Sequence, residues 1–223
     1  MNYPMVKILM LKDWYLQRWI ILATFAGGLA SLGIIAIGSD GAFFIGLLLL
    51  ITALVALSGQ LAMSAIVGER KEQTLPFVMS LPISYREYTT SKIVGNLLIF
   101  VVPWAVMAIG SFALLAFSPK SQGLIPYTAI MATEILVNAC LVASVAVITE
   151  AQSWTIAAII LGNIGLNGIG YLVAHVNGVA RWMWGSSIHW SPAAYALLIT
   201  EFAIIGLMIG FTFFTQSRKK DFL

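Results

Sequence analysis

The chain has 223 residues, of which 60 % are hydrophobic and only 9 % charged, and its mean hydropathy is +0.95. Soluble domains carry roughly 25 % charged residues, so too few remain here to cover a water-exposed surface, and a soluble globular fold is excluded. The formal net charge of +3 is small. The single cysteine, Cys140, leaves no intrachain disulfide and no cysteine metal site, and His175 and His189 stand too far apart for ligand spacing.

In chain order, Met1–Arg18 reads as an interfacial helix lying along the membrane. Met5, Leu9 and Leu16 share one helical face and Lys7, Trp14 and Arg18 another, with Lys12 and Asp13 blurring the pattern. The first apolar run is too long for a signal peptide and lacks a clear small-residue cleavage site. Six apolar runs then reach the length of about 20 residues that a helix needs to cross a bilayer. They are Trp19–Gly38, Ala42–Val67, Ile93–Phe117, Tyr127–Thr149, Trp154–Ala174 and Pro192–Thr215. Only helices or closed barrels satisfy the backbone in lipid, and runs this continuous lack barrel alternation. The expected fold is an all-α membrane protein, one domain over residues 1–223.

The breaks between runs carry turn chemistry. Ser39-Asp40-Gly41 predicts a tight turn, Ser191-Pro192 an N-cap followed by proline at the first helical position, and Pro103 a kink inside the third span. The outer segment His175–Ser191 carries Trp182, Trp184 and Trp190, rings suited to the headgroup level. Lys and Arg split ten to two. Lys7, Lys12, Arg18, Arg70, Lys71, Arg86, Lys92, Arg218, Lys219 and Lys220 fall on one side, Lys120 and Arg181 on the other. The positive-inside rule then places both termini and the loop between spans two and three in the cytoplasm.

That loop, Gly68–Lys92, differs from the rest of the chain. Charges flank an apolar centre, Leu75-Pro76-Phe77-Val78-Met79, and Pro82 ends the run. Ser84 and Glu87 have capping-box spacing. The reading is a short helix across the cytoplasmic face, followed by a new helix entering the third span. An apolar helix exposed to water needs a cover: its own bundle, the membrane interface, or a partner.

The order Glu69, Arg70, Lys71, Glu72, Thr74, Leu75, Ser80, Leu81, Pro82, Ile83, Ser84 and Lys92 resembles the signature loop of the type-2, six-span permeases of ABC exporters. Leu11-Lys12-Asp13 before the first span resembles short members of that family. The local match is short, and the six-span layout extends it over the chain. The resemblance implies that the loop is a coupling helix docking into a separate nucleotide-binding ATPase subunit, with ATP and Mg on that partner and no cofactor on this chain. It makes Met1–Arg18 an elbow helix and the outer segment a re-entrant piece. It also implies a second permease chain, identical or not, in the cell membrane. On this reading Phe77, Val78, Met79 and Leu81 are apolar anchors, and Glu69, Arg70, Glu72, Arg86 and Glu87 a polar rim. No G-x-x-x-x-G-K-[ST] occurs, and no nucleic-acid partner is expected. The sequence departs from larger members in lacking a sizeable outer domain.

Within the spans, Glu134 and Glu201 are the most costly residues. Glu134 and Asn138 recur at four-residue spacing, as do Asn163, Asn167 and Tyr171. These stripes either line a translocation path or make interhelical hydrogen bonds. Gly206 and Gly210, with Gly27, Gly28 and Gly33, are close-packing signals. The permease reading competes with an intramembrane enzyme, disfavoured by the lack of a catalytic constellation. It competes also with a non-transporting sensor or assembly protein whose loop docks a regulator.

Overall fold

The structure, a computed structural model, describes residues 3–71, 85–118 and 121–218. Its elements are α1 (Tyr3–Ile35), α2 (Asp40–Ala62), a π-helical turn (Met63–Val67), α3 (Gly68–Lys71), α4 (Tyr85–Phe117), a 3-10 turn (Gln122–Leu124), α5 (Ile125–Thr149), α6 (Gln152–His175), α7 (Asn177–Ala180) and α8 (Pro192–Ser217). Among the described residues there is no strand. Six stretches are long and apolar enough to cross a bilayer: Pro4–Ile35, Gly41–Val67, Glu87–Phe117, Gln122–Thr149, Gln152–His175 and Pro192–Ser217. The all-helical, six-span expectation holds.

The breaks fall near the expected positions, although Asp40 and Gly41 belong to α2 and do not form a tight turn with Ser39. Gly38 takes φ 77°, a left-handed conformation that glycine adopts without strain, where α1 ends. The Ser39 hydroxyl then caps α2 by accepting from the Ala42 N–H at 3.2 Å. Ser191 caps α8 in the same way through the Ala194 N–H, also at 3.2 Å, with Pro192 at the first helical position. Helix α4 continues through Pro103 without interruption.

Helix α5 is the hub, packing against α2, α4, α6 and α8. In its most apolar stretch 72 % of residues are buried, against 11 % in α8 at the edge. Leu54, Leu57, Phe100, Met107, Met131 and Ile135 form the centre of the core. Two polar ties reinforce the hub. The Trp104 indole N–H donates to the Ala132 carbonyl at 2.8 Å, and the Gln216 amide of α8 donates to the Val147 carbonyl.

The N-terminus departs from expectation. Residues 3–18 are not a separate interfacial helix; they are the first half of one unbroken 33-residue α1, about 50 Å long at 1.5 Å per residue. Of the expected face Met5, Leu9 and Leu16, Leu9 alone joins the buried stripe. It runs Val6, Leu9, Asp13, Gln17, Ile21, Thr24, Ser31, Ile35, while Leu16 is 65 % exposed. The stripe passes through Asp13 and Gln17 because both find partners on neighbouring helices, which hydrophobicity cannot reveal. Gln17 donates to the Ser64 hydroxyl. Gly95 lets α4 approach α1 closely, since a Cβ there would lie 3.1 Å from Met10 Cγ.

At the opposite end of the bundle, the segment between α6 and α8 folds back as a cap. The Gly123 N–H donates to the Gly185 carbonyl at 2.9 Å. A Cβ at Gly123 would stand 2.0 Å from the Trp182 carbonyl oxygen, so only glycine fits. Val179 of α7 is buried against Ile130, Val173 and Ala194. Trp184 is exposed, and Trp190 stacks on Tyr195 at 5.5 Å between ring centroids.

The small-residue signals separate. Gly28 is filled from within the chain by Met107, whereas positions 27, 33, 206 and 210 meet nothing within 4 Å.

Candidate functional site

The two flanks of the loop between α3 and α4 carry the densest charge in the described structure. Glu69 projects from α3, two residues beyond the π turn; Tyr88 and Lys92 come from the first turns of α4; Lys12 and Asp13 come from α1. The Lys92 ammonium, fully buried, donates to Asp13 Oδ2 at 2.9 Å and to Glu69 Oε1 at 2.8 Å. Lys12 pairs with the same Glu69 oxygen and lies 3.6 Å from Asp13 Oδ1. The Tyr88 hydroxyl donates to Glu69 Oε2 at 3.1 Å. Among the described residues two cations and two anions balance, and a buried ammonium is tolerated only when paired and hydrogen-bonded in this way. Burial drives the Glu69 carboxyl upward, but the charges and hydrogen bonds of Lys92 and Lys12 outweigh it and hold the group below the ordinary carboxylate range.

Glu69 and Glu87, expected in the polar rim, are buried within the chain, 7 % exposed each. For Glu69 the reason is Lys92: a lysine entering a membrane span needs a carboxylate, and the end of the second span supplies it. Glu72, Thr74, Leu75, Phe77, Val78, Met79, Leu81, Pro82 and Ser84, and with them the expected coupling helix and capping box, lie outside the described residues. So do the side chains of Arg70 and Arg86.

The expected path residues fall into two groups. Glu134, Asn138 and Glu201 are buried, at 6 %, 2 % and 5 % exposure. Glu134 and Glu201 interact electrostatically across the α5–α8 contact, and neither Glu201 oxygen has a hydrogen-bond partner among the described residues. Asn138 points at α6, where a Cβ on Gly162 would come within 2.0 Å of its Oδ1. Asn163, Asn167 and Tyr171 lie elsewhere, on a groove of about 690 Å³ between α2 and α6. Their bonds are not interhelical. Asn163 donates to the Ile159 carbonyl at 2.9 Å and Asn167 to the Asn163 carbonyl at 2.8 Å, each one turn back along α6. The two stripes therefore face different neighbours.

Comparison with protein-family models, with curated proteins and with solved structures found no match. The chemistry must be read from the chain's own residues. The ion cluster ties α1, α3 and α4 together on either side of residues 72–84. The groove presents uncharged hydrogen-bonding groups at membrane depth.

Sequence reasoning missed Tyr88 and Gln60 and placed Asp13 and Gln17 poorly. The available signal was the pairing of Glu69 with Lys92 across the loop. Each sits at a span end, and neither is affordable there alone.

Proposed function

We propose that the chain is the membrane-spanning permease subunit of an ATP-driven exporter of the ABC type. It forms half of a translocation pathway and couples to a separate ATPase subunit. One observation carries the reading: Lys92 joins Glu69 and Asp13 at 2.8 and 2.9 Å, so both roots of the loop that resembles a coupling helix are clamped to the first helix. A push on residues 72–84 from a partner would be passed to α1, α2 and α4 together, because a rigid ion cluster leaves no slack between them. The six-span layout and the ten-to-two Lys/Arg split support the same reading, with both ends and this loop in the cytoplasm. A second permease chain completes the pathway.

The test is purification from native membranes with a tag on this chain. A stoichiometric ATPase should co-purify. Charged substitution at Phe77, Val78 or Met79 should release it, since buried anchors typically cost about 2 kcal/mol or more when lost. The permease itself should stay in the membrane. Retention of the ATPase and of transport by the triple-charged variant would remove the coupling assignment. Absence of any ATPase would favour the sensor or assembly reading.

A further inference from the structure

The α2–α6 groove is bounded by Leu48 and Ala174 at one end and by Met63 and Ile159 at the other. That is about 22 Å at 1.5 Å per residue; Tyr127 and Met131 of α5 also line the groove, and all of its lining lies within three of the membrane-length stretches. Its volume of about 690 Å³ falls inside the range of small-molecule sites, roughly 300–1,000 Å³. The lining contains no Asp, Glu, Lys, Arg or His, so it offers no counter-ion to a charged guest.

The groove is nonetheless polar where lipid tails could not satisfy it. Asn163 stands at the middle of α6 and Asn167 one turn further on. Each spends one N–H on a carbonyl of its own helix, which leaves the amide oxygen and the second N–H without a partner among the described residues. Gln60, exposed on the facing helix, has no side-chain partner among them either. Hydrocarbon cannot pair these groups, and in lipid each unpaired one is costly. Apolar walls from Leu48, Ile51 and Val55 continue from this polar centre toward the capped end.

The geometry points to a binding site for a neutral amphiphile. An uncharged head bearing hydroxyl or amide groups sits among Gln60, Asn163 and Asn167, and an alkyl chain lies along the apolar walls. Amide oxygens and N–H groups together serve a head that both donates and accepts. The absence of ionised groups from the lining selects against fatty acids and quaternary amines, whose charge would enter unpaired. This supplies the substrate class of the permease reading and rests on it.

The experiment uses the full chain in lipid nanodiscs. The probe is a monoacylglycerol carrying a photoactivatable diazirine on its acyl chain, compared with a fatty acid and an alkyltrimethylammonium bearing the same group. The monoacylglycerol should label α2 and α6 peptides saturably and about tenfold more than either charged probe. Asn163→Leu combined with Asn167→Leu should cut labelling about tenfold, the loss expected for a few hydrogen bonds. Ala56→Trp, which fills the groove from an exposed position, should do the same without touching a polar group. Phe202→Leu on the exposed face of α8 should leave labelling unchanged. Equal labelling by all three probes, or indifference to both groove variants, would overturn the site. So would disulfide cross-linking of two copies through Asn167→Cys, in a Cys140→Ser background, with the groove unlabelled; a second copy would then be the occupant. Selective labelling in a preparation that never yields an ATPase keeps the site and sinks the permease reading. An ATPase that co-purifies with an unlabelled groove does the reverse.

Discussion

Lys92 shows how one side chain fixes the behaviour of its surroundings. Its side chain is 0 % exposed, and it donates to two carboxylates from different helices. Lys92→Met would remove a buried cation that Asp13 and Glu69 share, and breaking a buried pair from one side costs about 3–5 kcal/mol. Lys12→Met should cost far less, about 1 kcal/mol or below, because Lys12 is 38 % exposed and solvent screens it. Thermal denaturation of the purified protein in detergent should separate the two variants clearly. Acid adds a second reading. The folded state holds the Glu69 carboxyl below its ordinary value of 4.5, so its contribution is fully present above that pH and is lost as pH falls toward the depressed value. Melting temperature should therefore decline below about pH 4.5, and Glu69→Gln, less stable at neutral pH, should lose that acid-dependent component.

Helix contacts turn on where glycine is required and where it is spare. Gly162→Ala would place a methyl group 2.0 Å from Asn138 Oδ1, pushing α6 away from the hub helix, and should lower the melting temperature of the single chain by several degrees, as about 1–3 kcal/mol of overpacking would. Gly206→Ala with Gly210→Ala meets nothing and should leave that temperature unchanged or raise it slightly, since alanine favours helix. The sequence marks the G-x-x-x-G of α8 as a close-packing signal, yet a Cβ at either glycine meets nothing within the chain, whereas one at Gly162 meets Asn138. The number of spans, the Ser191 cap and the helical class were legible, because apolar length and cap chemistry are local properties, whereas Ser39, read as part of a tight turn, caps α2. The continuity of α1 was not. Its stripe runs through Asp13 and Gln17, whose burial depends on Lys92 and Ser64, far away in sequence. The division of Glu134 and Asn138 from Asn163 and Asn167 was equally hidden. Four-residue spacing says that residues share a face, but not which neighbour that face meets.

Over the whole molecule, the charge cluster and the tryptophan-bearing cap occupy opposite ends of one bundle. Single-cysteine variants in a Cys140→Ser background give a direct check on orientation. An impermeant maleimide added outside intact cells should label Ser186→Cys in the cap segment and not Lys71→Cys beside the charge cluster; the inverse pattern would reverse the topology. A further consequence lies in the π turn at Met63–Val67, where the Gly68 N–H reaches back to the Met63 carbonyl. A π turn absorbs one residue beyond regular α geometry. Wound as plain α-helix with every residue kept, the same chain would turn Glu69 about 100° further round the axis, away from Lys92 and Lys12. The rotational phase of the acidic end is thus set by one backbone hydrogen-bond shift and not by the span below it. The turn acts as a vernier between the membrane helix and the charge cluster, letting lipid-facing residues and the lysine-facing carboxylate be chosen independently in one continuous helix.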